Sequence, residues 1–230
     1  MREPIAIVGM GAVFPGAPDL ATYWKNLTSG VDAITDLPAT RIEPALAAAN
    51  GFTCTRGGFL TDTSFDPIAF GIMPVAAATA EPDQLLALKV AAAALADAGD
   101  SITHARTAVI LGRGGYLNPG MARLADRTRN AHQLASALEE LLPELDADTV
   151  AKVRAAFIAK SGKSANETES AIGLVPNLAA SRIANRLDLR GPAYTIDAAC
   201  ASSLLAIDQG CRELADHRCD AVVAGGVHVC

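Results

Sequence analysis

Cys200 stands where a strand-like run gives way to a helix-like one, and a thiol in that position has the means to act as a nucleophile. Tyr194, Thr195 and Ile196 lead into it with the β-branched and aromatic character of a strand. Leu204, Leu205, Ile207, Cys211 and Leu214 follow at helical spacing. The unpaired backbone N–H groups and the positive dipole end of a helix N-terminus favour thiolate over thiol. Ala198, Ala199, Ala201, Ser202 and Ser203 are all small, so a substrate carbonyl could come close to the sulfur. The same turn would aim the Cys200 N–H outward, toward the oxyanion formed when the thiolate attacks a thioester. For the residue taken alone, a buried structural cysteine is the alternative, because free cysteine is among the most buried residue types.

The elements that must position this turn can be followed along the chain. Ile5-Ala6-Ile7-Val8 is a short apolar run before Gly9 and Gly11, which predicts a strand buried on both faces and then a tight turn. It is not a dinucleotide fingerprint: the third glycine, Gly16, is misplaced for G-x-G-x-x-G, and Pro15 stands where the helix should start. Asp19 caps a predicted packing helix with Leu20, Tyr23, Trp24 and Leu27 on one face and Gly30 at its end. Residues 35–66 read as irregular. Pro82 opens a long helix through Leu85, Leu88, Ala92, Leu95 and Ala96 that Gly99 stops.

Thr107 to Leu111 is a second buried strand, and strand, helix, strand in this order predicts a parallel sheet with right-handed crossovers. Leu134, Leu138 and Leu141, then Val150, Val153 and Phe157, lie at helical spacing on either side of Pro143 and predict a helical hairpin over the core. Asn177 to Leu187 forms a further helix with Arg182 and Arg186 on one face. These cations could meet phosphate, but they also suit the last turn of a helix for dipole reasons alone.

The run Asp197-Ala198-Ala199-Cys200-Ala201-Ser202-Ser203-Leu204 resembles the active-site elbow of β-ketoacyl synthases. Other stretches resemble that family in the same order. They are Glu3 to Gly11 with Phe14-Pro15-Gly16, then Gly57-Gly58-Phe59-Leu60 with Phe65-Asp66, and Ala221 to Val227 after the nucleophile helix. Glu81-Pro82-Asp83-Gln84 stands where the family usually writes Asp-Pro-Gln. Ala198 and Ala201 replace the Thr and Ser more common in modular polyketide synthases. With Glu81 and Gly112-Arg113-Gly114-Gly115-Tyr116, they point toward the polyunsaturated fatty acid synthase or iterative type.

The resemblance implies a thiolase-like α/β fold, a mixed sheet with helices on its faces, of which residues 1–230 would be the N-terminal half, incomplete at the C-terminus. It implies that Cys200 is the catalytic nucleophile, with its own N–H as oxyanion donor, and that it accepts an acyl chain carried on the phosphopantetheine of an acyl carrier protein. It implies a homodimer joined through the strand Ala193 to Ile196, and a C-terminal half as a further partner. No bound cofactor and no metal are expected.

Composition fits this and excludes other classes. Half of the 230 residues are hydrophobic and 19% are charged, enough apolar material for a core and too little charge for general disorder. The net charge of −6 argues against nucleic acid as the main partner. Five cysteines, an odd number with no C-x-x-C pair, fit neither a disulfide framework nor a zinc site and suit a reducing cytoplasm. No apolar run approaches the ~18 residues of a membrane span, so no membrane is expected.

Condensation with malonyl carrier protein needs groups that polarise the malonyl thioester and stabilise the enolate left when carbon dioxide departs. Ketosynthases use two histidines for this, in motifs of the form H-G-T-G-T and G-H. Neither motif occurs here, and His104, His132, His217 and His228 have no matching context. The expectation is an acyl-accepting chain with little condensing activity alone. Two alternatives remain open: a non-catalytic dimerising or scaffold module, and a cysteine hydrolase, which lacks a recognisable His and acidic partner for Cys200.

Overall fold

Asp19 opens the first helix, α1 (Leu20–Thr28), by accepting the Thr22 N–H at 2.7 Å, and Gly30 follows its end in the left-handed region at φ 65°. The computed structural model describes residues 3–39, 49, 51, 53–115, 119–160 and 173–228. A short antiparallel pair follows α1, β1 (Ile34–Asp36) with β2 (Arg56–Gly58), inside the stretch expected to be irregular. Helix α2 (Pro74–Thr79) precedes α3 (Pro82–Ala98), which begins at its proline and ends before Gly99 at φ 66°, as the sequence pattern requires.

Two units divide the chain: residues 1–65 with 89–102, and residues 66–88 with 103–230. The second contains the strands β3 (Thr107–Gly112), β4 (Ala193–Ile196) and β5 (Ala221–Gly226). They pair in parallel in the order β4-β3-β5. Every residue of β3 is buried, so both of its faces are covered, as the continuous apolar run Ala108 to Leu111 demands.

Between β3 and β4 come α4 (Pro119–Ala125), a π-helical turn at Asp126–Asn130, α5 (Ala131–Leu141), α6 (Ala147–Lys160) and α7 (Leu178–Arg186). Helices α5 and α6 pack on each other as the expected hairpin, and Asp146 starts α6 by accepting the Thr149 N–H at 2.8 Å. Helix α8 (Ser202–Ala215) leaves the elbow after β4 and packs on β3 and β5, carrying the chain over the central strand.

That packing depends on the missing side chain at Gly112. A Cβ there would stand 2.5 Å from the Ser202 carbonyl carbon and the Ser203 nitrogen, both backbone atoms at the start of α8. Gly112→Ala is therefore expected to cost about 1–3 kcal/mol through overpacking. A denaturant midpoint equal to that of the wild type would show that α8 does not rest on the end of β3.

Three expectations need correction. Ile5 to Val8 is not a strand: no described residue pairs with it, and Ile7 is 81% exposed. A strand needs a hydrogen-bonding neighbour, and apolar residues alone do not supply one. Gly9 and Gly11 are not turn residues but points of close approach to α3, where a Cβ would meet the backbone of Ala94 and Val90 respectively, while the Met10 N–H bonds the Asp97 carboxylate at 2.9 Å. Helix α1 is not a packing helix, since none of its residues is buried and Trp24 is 64% exposed, although Tyr23 stacks on Phe14 with ring centroids 4.5 Å apart.

Candidate active site at the carboxyl ends of the parallel strands

The three parallel strands end together. The Arg113 N–H reaches the Ile196 carbonyl at 3.0 Å and the Val227 N–H reaches the Gly112 carbonyl at 2.9 Å, which ties the segments just beyond β3, β4 and β5 side by side. In open α/β sheets, ligands bind beyond the carboxyl ends of the strands. Cys200 is placed there, exposed, in a 3₁₀ turn (Ala199–Ala201). That turn runs directly into α8, so Cys200 sits at the turn from strand to helix that the sequence indicates.

The turn is held from both sides. Ser202 is buried, and its hydroxyl accepts the Ala198 N–H at 2.8 Å and donates to the Ala199 carbonyl at 2.7 Å. Asp197 accepts the Ala199 N–H at 3.1 Å on one carboxylate oxygen and the Gly115 N–H at 2.8 Å on the other. The two N–H groups hold the Asp197 carboxyl below the usual carboxylate range. The Ala201 N–H is taken by the Ala198 carbonyl at 3.1 Å, whereas the Cys200 N–H has no partner among the described residues. That leaves a donor and a thiol on one exposed residue. In the sequence Ser202 counts only as a small neighbour of Cys200, but its hydroxyl is spent on the turn.

Behind the elbow, Glu81, Asp83 and Gln84 of the Glu81-Pro82-Asp83-Gln84 motif form a buried polar cluster with Arg113. Arg113 is 4% exposed and its Nε meets Asp83 Oδ2 at 2.6 Å. Glu81, 2% exposed, takes Arg123 Nη2 at 3.4 Å, and Gln84 donates to the Gly173 carbonyl at 2.7 Å. Glu81 Oε2, Asp83 Oδ1 and Gln84 Oε1 have no hydrogen-bond partner among the described residues. The sequence marks Glu81 to Gln84 as a family-like motif at the start of a helix but gives no sign that Asp83 pairs with Arg113.

Burial pushes the Glu81 carboxyl above its ordinary 4.5, against the pull of the Gly120 N–H and of Arg123. Such a group binds its proton more tightly in the folded state. The stability it contributes is fully present below 4.5 and is lost as pH rises through the folded value. Glu81→Gln removes this dependence, so its melting temperature relative to the wild type is expected to rise as the pH is raised above 4.5. A difference that stays flat over that range would contradict the assignment.

The remaining cysteines differ in setting. Cys54 is exposed, Cys211 is intermediate, and Cys219 is buried with its thiol pushed up by that burial; Cys230 lies outside the described residues, as does Tyr116. His228 is exposed, just beyond β5. The Arg186 guanidinium is engaged by the Gly71 carbonyl at 2.9 Å, which favours the structural reading of that cation. No group of three or more metal-ligating side chains is found among the described residues. No helix among them is long and apolar enough to cross a membrane.

A family model described as Beta-ketoacyl synthase, N-terminal domain, matches residues 2–230. The chain belongs to the β-ketoacyl synthase family. It is 33% identical to the polyketide synthase PksN of Bacillus subtilis over 98% of its own length and 4% of that protein. It is 32% identical to a phenolphthiocerol/phthiocerol polyketide synthase of Mycobacterium tuberculosis, over 100% of this chain and 13% of the relative.

Among solved structures, the oxazolomycin ketosynthase domain OzmH KS7 of Streptomyces albus JA3453 superposes with a TM-score of 0.65 at 28% identity, covering 97% of this chain and 34% of that one. The ketosynthase from module 6 of the bacillaene synthase of Bacillus subtilis gives 0.67 at 25% identity, covering 98% and 32%. The ketosynthase family and the thiolase-like α/β fold of its N-terminal half, expected from the elbow and its flanking motifs, are both met. The ketosynthase chain thus spans a small part of these synthases and about a third of each solved structure.

Proposed function

We propose that this chain supplies the acyl-accepting thiol of a β-ketoacyl synthase in fatty acid or polyketide synthesis. Cys200 Sγ attacks the carbonyl carbon of an acyl thioester carried on the phosphopantetheine of an acyl carrier protein. The oxyanion of the tetrahedral intermediate takes a hydrogen bond from the Cys200 N–H, and its collapse expels the phosphopantetheine thiolate and leaves the acyl group on Sγ. The observation that carries this reading is one exposed residue, at the carboxyl ends of the parallel strands, presenting both a thiol and a backbone donor that has no partner among the described residues. A reducing cytoplasm would keep that thiol free.

Acylation is the half-reaction assigned to these residues. The histidine motifs with which ketosynthases decarboxylate the malonyl thioester do not occur among the 230 residues, so the chain alone is expected to do little condensation. Adding a ketosynthase C-terminal half is expected to restore it. A homodimer is part of the proposal, because among the described residues β4 is an edge of the sheet, and an unpaired edge invites pairing with its symmetry mate. Sedimentation at micromolar concentration is expected to show a dimer, and a stable, soluble monomer would remove that element.

The test is to mix the chain with a carrier protein bearing an acyl-phosphopantetheine and to follow the carrier thiol released. One equivalent, without further turnover, supports the acyl acceptor. No release supports a scaffold module, and continuous release of free acid a hydrolase; either overturns the proposal.

A further inference from the structure

Three non-glycine residues among those described have a left-handed backbone: Asp188 at φ 53°, Ala199 at φ 49° and His217 at φ 56°. Asp188 and His217 each follow the C-cap of a helix, α7 and α8, where chains commonly turn through that conformation. Ala199 has no such reason. It precedes a helix, and it is the residue immediately before Cys200. An alanine there is strained, and the conformation persists only where the surroundings over-determine it.

We propose that Asp197 is a positioning residue for Cys200, its carboxylate holding Ala199 in the left-handed conformation and fastening the elbow to the loop beyond β3. The inference rests on the reading of Cys200 as the acyl acceptor. One oxygen of Asp197 fixes the Ala199 N–H and the other the Gly115 N–H, so a single side chain bridges two backbone segments that are far apart in sequence. The second segment is itself anchored: two residues before Gly115, Arg113 bonds the Ile196 carbonyl through its N–H and Asp83 through its buried guanidinium. Ser202 secures the Ala198 N–H and the Ala199 carbonyl. Asp197 supplies the restraint on the Ala199 N–H, and among the described residues it alone links the turn to Gly115. Without it the alanine relaxes toward negative φ, and the direction of the Cys200 Sγ and N–H changes with it.

The test uses the full chain and iodoacetamide, with labelling rates at Cys200 and at the exposed Cys54 read from the same digests by mass spectrometry. Asp197→Ala is expected to slow Cys200 about tenfold or more, in line with the cost of misplacing a reacting group by about an ångström. Cys54 is expected to be unaffected. Asp197→Asn keeps one acceptor and should recover part of the rate, and it serves also if the alanine variant folds poorly. Adding Ala199→Gly to Asp197→Ala should restore most of the rate, because glycine adopts the left-handed conformation without strain. Asp208→Ala, which removes from α8 a carboxylate paired with Arg212 at 2.9 Å, should leave the rate unchanged and so exclude a general charge effect. A fast wild-type Cys200 whose rate survives Asp197→Ala, or is not recovered by Ala199→Gly, overturns the positioning role. A wild-type Cys200 no faster than Cys54 overturns the acyl-acceptor reading itself.

Discussion

Arg113→Ala is expected to lower the stability of the fold by about 3–5 kcal/mol, because it leaves the Asp83 carboxylate buried without its cation. For a chain of this length that is on the order of 10 °C in melting temperature. The cost would come from stranding the charge rather than from the pair's net worth. Replacing both partners by apolar residues, Arg113→Met with Asp83→Leu, is therefore expected to recover much of the loss. A single variant that melted with the wild type would mean that Asp83 is hydrated and that the cluster behind the elbow is not sealed.

Cys200→Ala is expected to abolish acyl transfer from a thioester to undetectable levels while leaving the melting temperature unchanged, because the side chain is exposed. Cys200→Ser should retain a trace of transfer at best, a hydroxyl being the weaker nucleophile at neutral pH. The measurement is release of the thioester's free thiol, with melting followed in parallel. Full release by the alanine variant would place the reaction on another group.

Which parts of this were legible in the sequence follows from how local each cause is. The elbow could be read because strand preference, a small-residue turn and a helical repeat adjoin within about twenty residues around Cys200. Helix α3, between Pro82 and Gly99, and the buried strand β3 were legible for the same reason. The bonds that shape the elbow were not. Asp197 meets Gly115, 82 residues away, and Arg113 meets Asp83, 30 residues away, and no periodicity encodes such pairings. The left-handed Ala199 was hidden because alanine, unlike glycine, gives no sign of that conformation. Ile5 to Val8 and Trp24 misled in the opposite direction: an apolar pattern states what a segment could bury, whereas burial depends on what meets it.

The central claim is that Cys200 is the residue that takes the acyl group. Its most direct test is to expose the full chain to an acyl N-acetylcysteamine thioester, quench, and map the adduct by peptide mass spectrometry. One acyl group is expected, retained after quenching and confined to the peptide bearing Cys200. An adduct on Cys54, Cys211, Cys219 or Cys230 instead, no adduct at all, or free acid formed without any acyl group retained on the protein would contradict it.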